Sequence, residues 1–318
     1  MLQPVPFDPA VAAALSTLPE TEPTAYTAAK LPELRAAMAA QFAPVPAVIG
    51  DRPVDHTEHI VPGPAKLAVT VFSPRGSREP AGCLYNIHGG GMMLGNRDMD
   101  TPRLVALVLE LGVVAVNIEY RLAPEHPDPV PVEDCYAGLL WTVENGARLG
   151  LDPDRVVVMG GSAGGGLAAG VALLARDRGG PRLAGQLLLC PMIDDTDTSV
   201  ASRQYAGLGP WPREVNRAGW AQLLGERAGT DAVSQYAAPS RATEFGGLPP
   251  AFIEVGSAEG FRDEDVEYAS RIWAAGGRAE LHVWSGGCHG FDLYAPDAEL
   301  TRIALTARAS WLQRVLGS

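Results

Sequence analysis

The chain has 318 residues, 47% apolar and 19% charged, which suffices for a sizeable buried core and excludes wholesale disorder. Its formal net charge of -12 argues against nucleic acid or an anionic membrane as the main partner, since both select clustered positive charge. Cys83, Cys135, Cys190 and Cys288 are scattered with no C-x-x-C spacing, so buried free thiols in a reducing compartment are expected. The first residues lack the basic start of a secretory leader, and no uninterrupted apolar run reaches membrane-spanning length; a cytoplasmic location is the expectation.

Residues 1 to about 45 read as helical segments broken by prolines, with "VAAALSTL" and "LPELRAAMAAQF" the clearest. "HIVPGPAKLAVTVFSPRG" follows as two strands around a Pro/Gly turn. Apolar runs then alternate with helical stretches: "GCLYNIHGGG", "TPRLVALVLELG", "VVAVNIEYRL", "PVEDCYAGLLWTVENG", "RVVVMGG", "GGLAAGVALLARD" and "GQLLLCPMI". The rhythm breaks at 194–247, which has little strand character. It resumes with "PAFIEVGS", "DEDVEYASRIWAAGG", "AELHVWSGG" and a closing helix in "AELTRIALTARASWLQRVLG". This alternation predicts an α/β fold, a mostly parallel sheet with helices on both faces. Residues 1–318 read as one domain with two insertions, about 1–45 and 194–247, each placed where a lid over the sheet could be built.

In such sheets the functional crevice lies beyond the carboxyl ends of the strands. "VVVMGGSAGGG" runs from a strand into a helix through Gly160-Gly161-Ser162-Ala163-Gly164, a G-x-S-x-G turn. Its small residues allow a sharp bend, and the bend lifts the Ser162 hydroxyl out of the sheet beside the amides of a helix N-terminus. A phosphate-binding loop would need a lysine and a Ser/Thr after the glycines, and they are absent. A dinucleotide reading of Gly164-x-Gly166-x-x-Ala169 would begin inside the helix.

A nucleophilic serine needs an oxyanion site, a base and an acid. His88-Gly89-Gly90-Gly91 follows a strand, and unobstructed amides there, with that of Ala163, are candidate oxyanion donors: Gly89, Gly90 and Ala163. His88, at the strand end, suits a structural clamp. Of six histidines, His289 stands apart, because it follows the last strand in the glycine-rich "SGGCHGFD". The acid should precede the base and lie in a strand-end loop. Glu259 fits between strand and helix, with Asp263 in reserve at the helix start. Glu254 lies within the strand, out of reach.

"HGGG", "YRLAPEHP", "GGSAGGG" and "FRDED…HGF", in that order over about residues 55–316, resemble the hormone-sensitive-lipase-like branch of bacterial α/β-hydrolases. The resemblance implies an α/β-hydrolase fold, carboxylic-ester hydrolysis by a serine nucleophile, no metal or organic cofactor, and a helical cap from the two insertions. It also implies small to medium, short-acyl esters as substrates, "YRLAPEHP" as support for the site wall, and a homodimer joined at a sheet edge. The chain departs from the family with Gly161 where Asp is usual before the serine, and with Glu259 where Asp often serves as the acid. Of the methionines after the glycines, Met92 is the expected pocket wall. From the second insertion Leu208 and Trp211 are candidates to touch substrate, while Tyr205 and Trp220 equally suit packing within the cap. An acyltransferase or amidase could use the same triad, and a dead ligand-binding relative would have lost parts that are all present here.

Overall fold

The computed structural model describes residues 2–18, 25–63, 65–77 and 79–317; residues 19–24 of the N-terminal insertion lie outside them. Its strands are β1 (Val54–Val61), β2 (Leu67–Pro74), β3 (Ala81–Ile87), β4 (Val114–Ile118), β5 (Leu151–Gly161), β6 (Gly185–Leu189), β7 (Ala251–Gly256) and β8 (Ala279–Trp284). They form one sheet in the order β1-β2-β4-β3-β5-β6-β7-β8, antiparallel at β1/β2 and β2/β4 and parallel elsewhere. The predicted α/β alternation is therefore the observed one.

Strand periodicity divides the core between two faces. Leu84, Val157, Leu187 and Phe252 point to a layer built with α3 (Val45–Ile49), α4 (Thr101–Leu111) and α12 (Glu299–Leu316). Tyr85, Val158, Leu188 and Ile253 point the other way, toward α5 (Val130–Glu144), the short α6 (Gly146–Leu149), α7 (Ala163–Asp177) and α10 (Arg262–Ala274). Each fully buried aliphatic side chain contributes about 1.5–3 kcal/mol of transfer free energy, so the central strands anchor the fold. Helix α4 starts with Pro102 in its first turn and stops at Gly112, whose left-handed φ of 66° closes the C-terminus.

Register sets up the site. β3 pairs Ile87 with Gly160, and β5 pairs Gly161 with Leu189. The His88–Gly91 loop, the Ser162 turn and the Cys190 loop therefore leave the sheet side by side at its carboxyl edge.

The N-terminal insertion carries α1 (Pro9–Leu15) and α2 (Leu31–Ala39); residues 194–247 carry α8 (Val200–Gln204) and α9 (Arg213–Leu224), and no strand is described there. Leu31 of α2 and Val215 of α9 pack with Met93 and Leu94, directly over the glycine loop. Arg35 of α2 locks this arrangement by donating to Met93 O at 2.8 Å and Ala123 O at 2.7 Å, and it pairs with Glu125 at 2.8 Å. The "YRLAPEHP" segment thus braces the loop from outside, since the Ala123 amide also donates to Met92 O at 2.9 Å. No described helix is long and apolar enough to cross a membrane.

Candidate active site

Ser162 caps α7 with φ 56° and ψ -124°, a left-handed backbone in a residue other than glycine. Such strain costs on the order of 1–3 kcal/mol and persists only where the surroundings over-determine it. Here they do so through backbone. A Cβ on Gly160 would come within 2.3 Å of Gly164, and one on Gly164 within 2.0 Å of Ile87 O. The Ser162 amide donates to Leu189 O at 2.8 Å, and its carbonyl accepts from Gly166 and Met192.

The Ser162 hydroxyl meets His289 Nε2 at 2.8 Å, and His289 Nδ1 meets Glu259 Oε2 at 2.6 Å. Glu259 is 3% exposed, and its other oxygen accepts the Gly256 amide at 2.8 Å, so strand β7 orients the carboxylate. The Phe261 ring packs edge-on against the imidazole at 4.9 Å between ring centroids, and the Trp211 ring stands farther off at 6.1 Å. Its loop is anchored by Cys288 and by Phe291 of the short α11 (Phe291–Tyr294), which pack with Val11 of α1, and by the Asp8 amide donating to Gly286 O at 2.8 Å. Asp263 lies elsewhere: its carboxylate accepts the Ala201 amide at 2.8 Å and pairs with Arg262. Glu254 is committed to Arg308 on α12.

Gly89 lies against the serine, where an added Cβ would sit 3.0 Å from Gly161 O and 3.5 Å from Ser162 Cβ. Gly90 and Gly91 take φ of 108° and 63°, and a Cβ on Gly90 would strike Leu94 O at 2.2 Å. Among the described residues, the amides of Gly89, Gly90 and Ala163 donate to no backbone carbonyl, which leaves them free for another acceptor. His88 is fully buried, stacked on Tyr120 at 4.2 Å, with Nδ1 at 2.8 Å from Gly89 O; it fastens the loop and does not reach Ser162.

The serine and histidine open into a cavity of about 460 Å³. Trp211 lines it, with Tyr26, Leu34 and Met38 from the N-terminal insertion and Met99 beside the glycine loop. Two expected wall residues stand elsewhere. Met92 has φ 59°, which turns its fully buried side chain into the core near Gly166, and Leu208 is 42% exposed in a turn that faces solvent. Tyr205 and Trp220 are buried packing residues. The sequence reading missed the N-terminal contributors and Cys190. Cys190 follows β6 at the carboxyl edge, the positional signal that singled out Ser162.

Among the described residues one set, Cys190, Glu259 and His289, gathers metal-ligating atoms within 4.8 Å. Burial, then the neighbouring Glu259, keeps the thiol protonated, and the other two members are already bonded to each other. The donor set is therefore a hydrogen-bonded acid–imidazole pair beside a neutral thiol. The arrangement as a whole supplies a hydroxyl with a base, a buried carboxylate behind the base, and open amides beside the hydroxyl. That is the equipment for nucleophilic acyl transfer.

The similarities to known proteins agree with this geometry. A family profile described as alpha/beta hydrolase fold matches residues 84–293. The chain is 34% identical over 302 residues to carboxylesterase NlhH of Mycobacterium tuberculosis, covering 93% of each chain. Among solved structures, a bacterial heroin esterase superposes with a TM-score of 0.90 at 37% identity over 98% of both chains. Esterase LipW from Mycobacterium marinum gives 0.87 at 29% identity, covering 99% of this chain and 98% of that one. With the sheet order, the glycine loop and the Ser162 turn in place, the chain belongs to the α/β-hydrolase family.

Proposed function

We propose that the protein is a serine carboxylesterase in which Ser162 is the nucleophile, His289 the general base and acid, and Glu259 the residue that fixes the imidazole. The observation that carries this reading is the unbroken chain from Ser162 Oγ through His289 to Glu259, at 2.8 and 2.6 Å, on the floor of a largely apolar cavity. His289 Nε2 takes the hydroxyl proton as Oγ attacks the ester carbonyl carbon. The carbonyl oxygen becomes an oxyanion and is met by the amides of Gly89, Gly90 and Ala163, each worth roughly 3 kcal/mol in the transition state. The imidazolium is stabilised by Glu259, which stays ionised. His289 then gives its proton to the leaving alcohol. A water, deprotonated by the same nitrogen, attacks the acyl-enzyme carbonyl, and the proton returns to Ser162 as the acid departs.

The two insertions act as the cap: α2 contributes Leu34 and Met38 to the cavity, and the 194–247 segment contributes Trp211. A cavity of about 460 Å³ suits small to medium esters with a short acyl chain. The test is hydrolysis of p-nitrophenyl esters of graded acyl length. Wild type should favour the short chains, and Ser162→Ala should lose at least about 10⁴-fold in kcat. Undiminished turnover in that variant would remove Ser162 from the mechanism.

A further inference from the structure

The glycines around Ser162 have different reasons to be glycine. At Gly160, Gly164 and Gly166 an added Cβ would come within 2.0–2.3 Å of backbone, so the turn excludes any side chain there. Gly161 is unlike them. A Cβ there would find nothing closer than Arg103 Nη1 at 3.7 Å and Leu189 at 3.9 Å, and its φ is not left-handed. The fold tolerates a side chain at 161, and the chain leaves that space open. Gly161 and Ser162 are both only partly buried, because both floor the cavity, and the cavity continues past Gly161 to Arg103, Asp100 and Asp292.

The guanidinium at the end of this recess is held loosely. Arg103 Nη1 donates to Asp100 at 3.1 Å and Nη2 to Asp292 at 3.3 Å, both longer than a good charge-assisted bond of about 2.7–2.9 Å. An arginine has five N–H donors, and Arg103, which lines the cavity, spends two of them in these bonds. The charges nearby decide what could be bound. Asp100, Asp292 and Glu254 stand against Arg103 and Arg308, three carboxylates to two guanidiniums. Burial works against the Asp292 charge, but Arg308 and Arg103 override it and hold that carboxyl well below the usual range, so it stays ionised. An incoming anion would meet a network that is already net negative. An uncharged oxygen acceptor would meet the same network without that repulsion.

We propose that the recess over Gly161 is a substrate subsite for an uncharged oxygen-bearing group, a ketone or ether oxygen of the ester that accepts from Arg103. The proposal rests on the esterase reading and narrows its substrates to esters with a neutral acceptor a few bonds from the scissile carbonyl. Gly161 supplies the room and Arg103 the donor.

Two isosteric pairs test it, one for each side of the ester. The p-nitrophenyl esters of 4-oxopentanoic and 4-methylpentanoic acids probe the acyl side; the acetates of 4-hydroxybutan-2-one and 3-methylbutan-1-ol probe the alcohol side. Within each pair a carbonyl oxygen replaces a methyl. The quantity read is the oxo-to-alkyl ratio of kcat/KM, compared between proteins so that intrinsic reactivity cancels. In one pair, Gly161→Ala and Arg103→Met should each lower the wild-type ratio by about tenfold or more. Should Arg103→Met fail to fold, Gly161→Ala alone decides the matter, since the site accommodates its methyl group. Unchanged ratios in both pairs would overturn the subsite, as would a wild-type preference for p-nitrophenyl hemisuccinate, an anion, over the 4-oxopentanoate. A wild type that hydrolyses none of these esters would remove the esterase reading itself, and the subsite with it.

Discussion

The floor and the roof of the cavity are held by different physics. The floor is backbone: strand ends in fixed register, a strained serine, and glycines whose neighbours lie so close that a methyl group would collide. The roof is side chain. Tyr26 meets Trp211 edge-on at 6.5 Å, and α2 is tied down by Arg35 and by the buried Leu31. A floor of this kind cannot shift without unfolding, which is what positioning a nucleophile against an oxyanion site requires. A roof of exchangeable side chains can change its shape while the floor stays still. On the proposed reading, chemistry belongs to the floor and selectivity to the roof.

Substitutions should separate the two regions, beginning with the largest effect. Glu259→Gln keeps the shape but removes the charge behind His289, and it should lower kcat by about 10³–10⁴-fold with little change in melting temperature. Gly164→Ala attacks the floor itself. With Ile87 O 2.0 Å from the added carbon, it should cost about 3 kcal/mol or more in urea unfolding. Trp211→Ala opens the roof and should raise KM by about tenfold while kcat moves by less than about threefold, because the triad is untouched. If kcat fell as far as KM rose, the roof would be holding His289 and the division would fail.

The smallest effect lies behind the floor. Asp265 is fully buried, neither carboxylate oxygen has a partner among the described residues, and burial pushes its carboxyl well above the usual range. A folded pKa above the unfolded one means that the fold holds the proton. The stability this contributes is complete below the unfolded pKa and fades as pH rises toward the folded pKa. Asp265→Asn keeps the neutral shape and should raise the melting temperature by a few degrees near about pH 8, and by less near about pH 5. An equal shift at both values would mean that the aspartate does not titrate in this way.

The difference between floor and roof also explains what could be read in advance. Strand and helix order followed from local periodicity, since each apolar run pays its own way in burial. Ser162 and the His88–Gly91 loop stand out because left-handed or crowded backbone demands glycine, and that demand is written in adjacent letters. The placement of His289 near Ser162 followed from the rule that functional loops gather at the carboxyl ends of parallel strands; Glu259 needed in addition the chain order of acid before base, and that order left Asp263 as an alternative. The walls obey no such local rule. Tyr26 and Leu34 reach the cavity because a distant N-terminal segment folds over it. Met92 follows a glycine with φ 63°, and the reversal sends its side chain into the core, which alternation along a chain does not reveal.

The most direct test is covalent. Treat the enzyme with an organophosphate that phosphorylates activated serines, then locate the adduct by peptide mass spectrometry as activity falls. One adduct per chain on Ser162, formed in step with the loss of esterase activity and absent from both Ser162→Ala and His289→Gln, is the expected result. Full inactivation with the label on another residue, or rapid labelling of Ser162 without the imidazole, would contradict it.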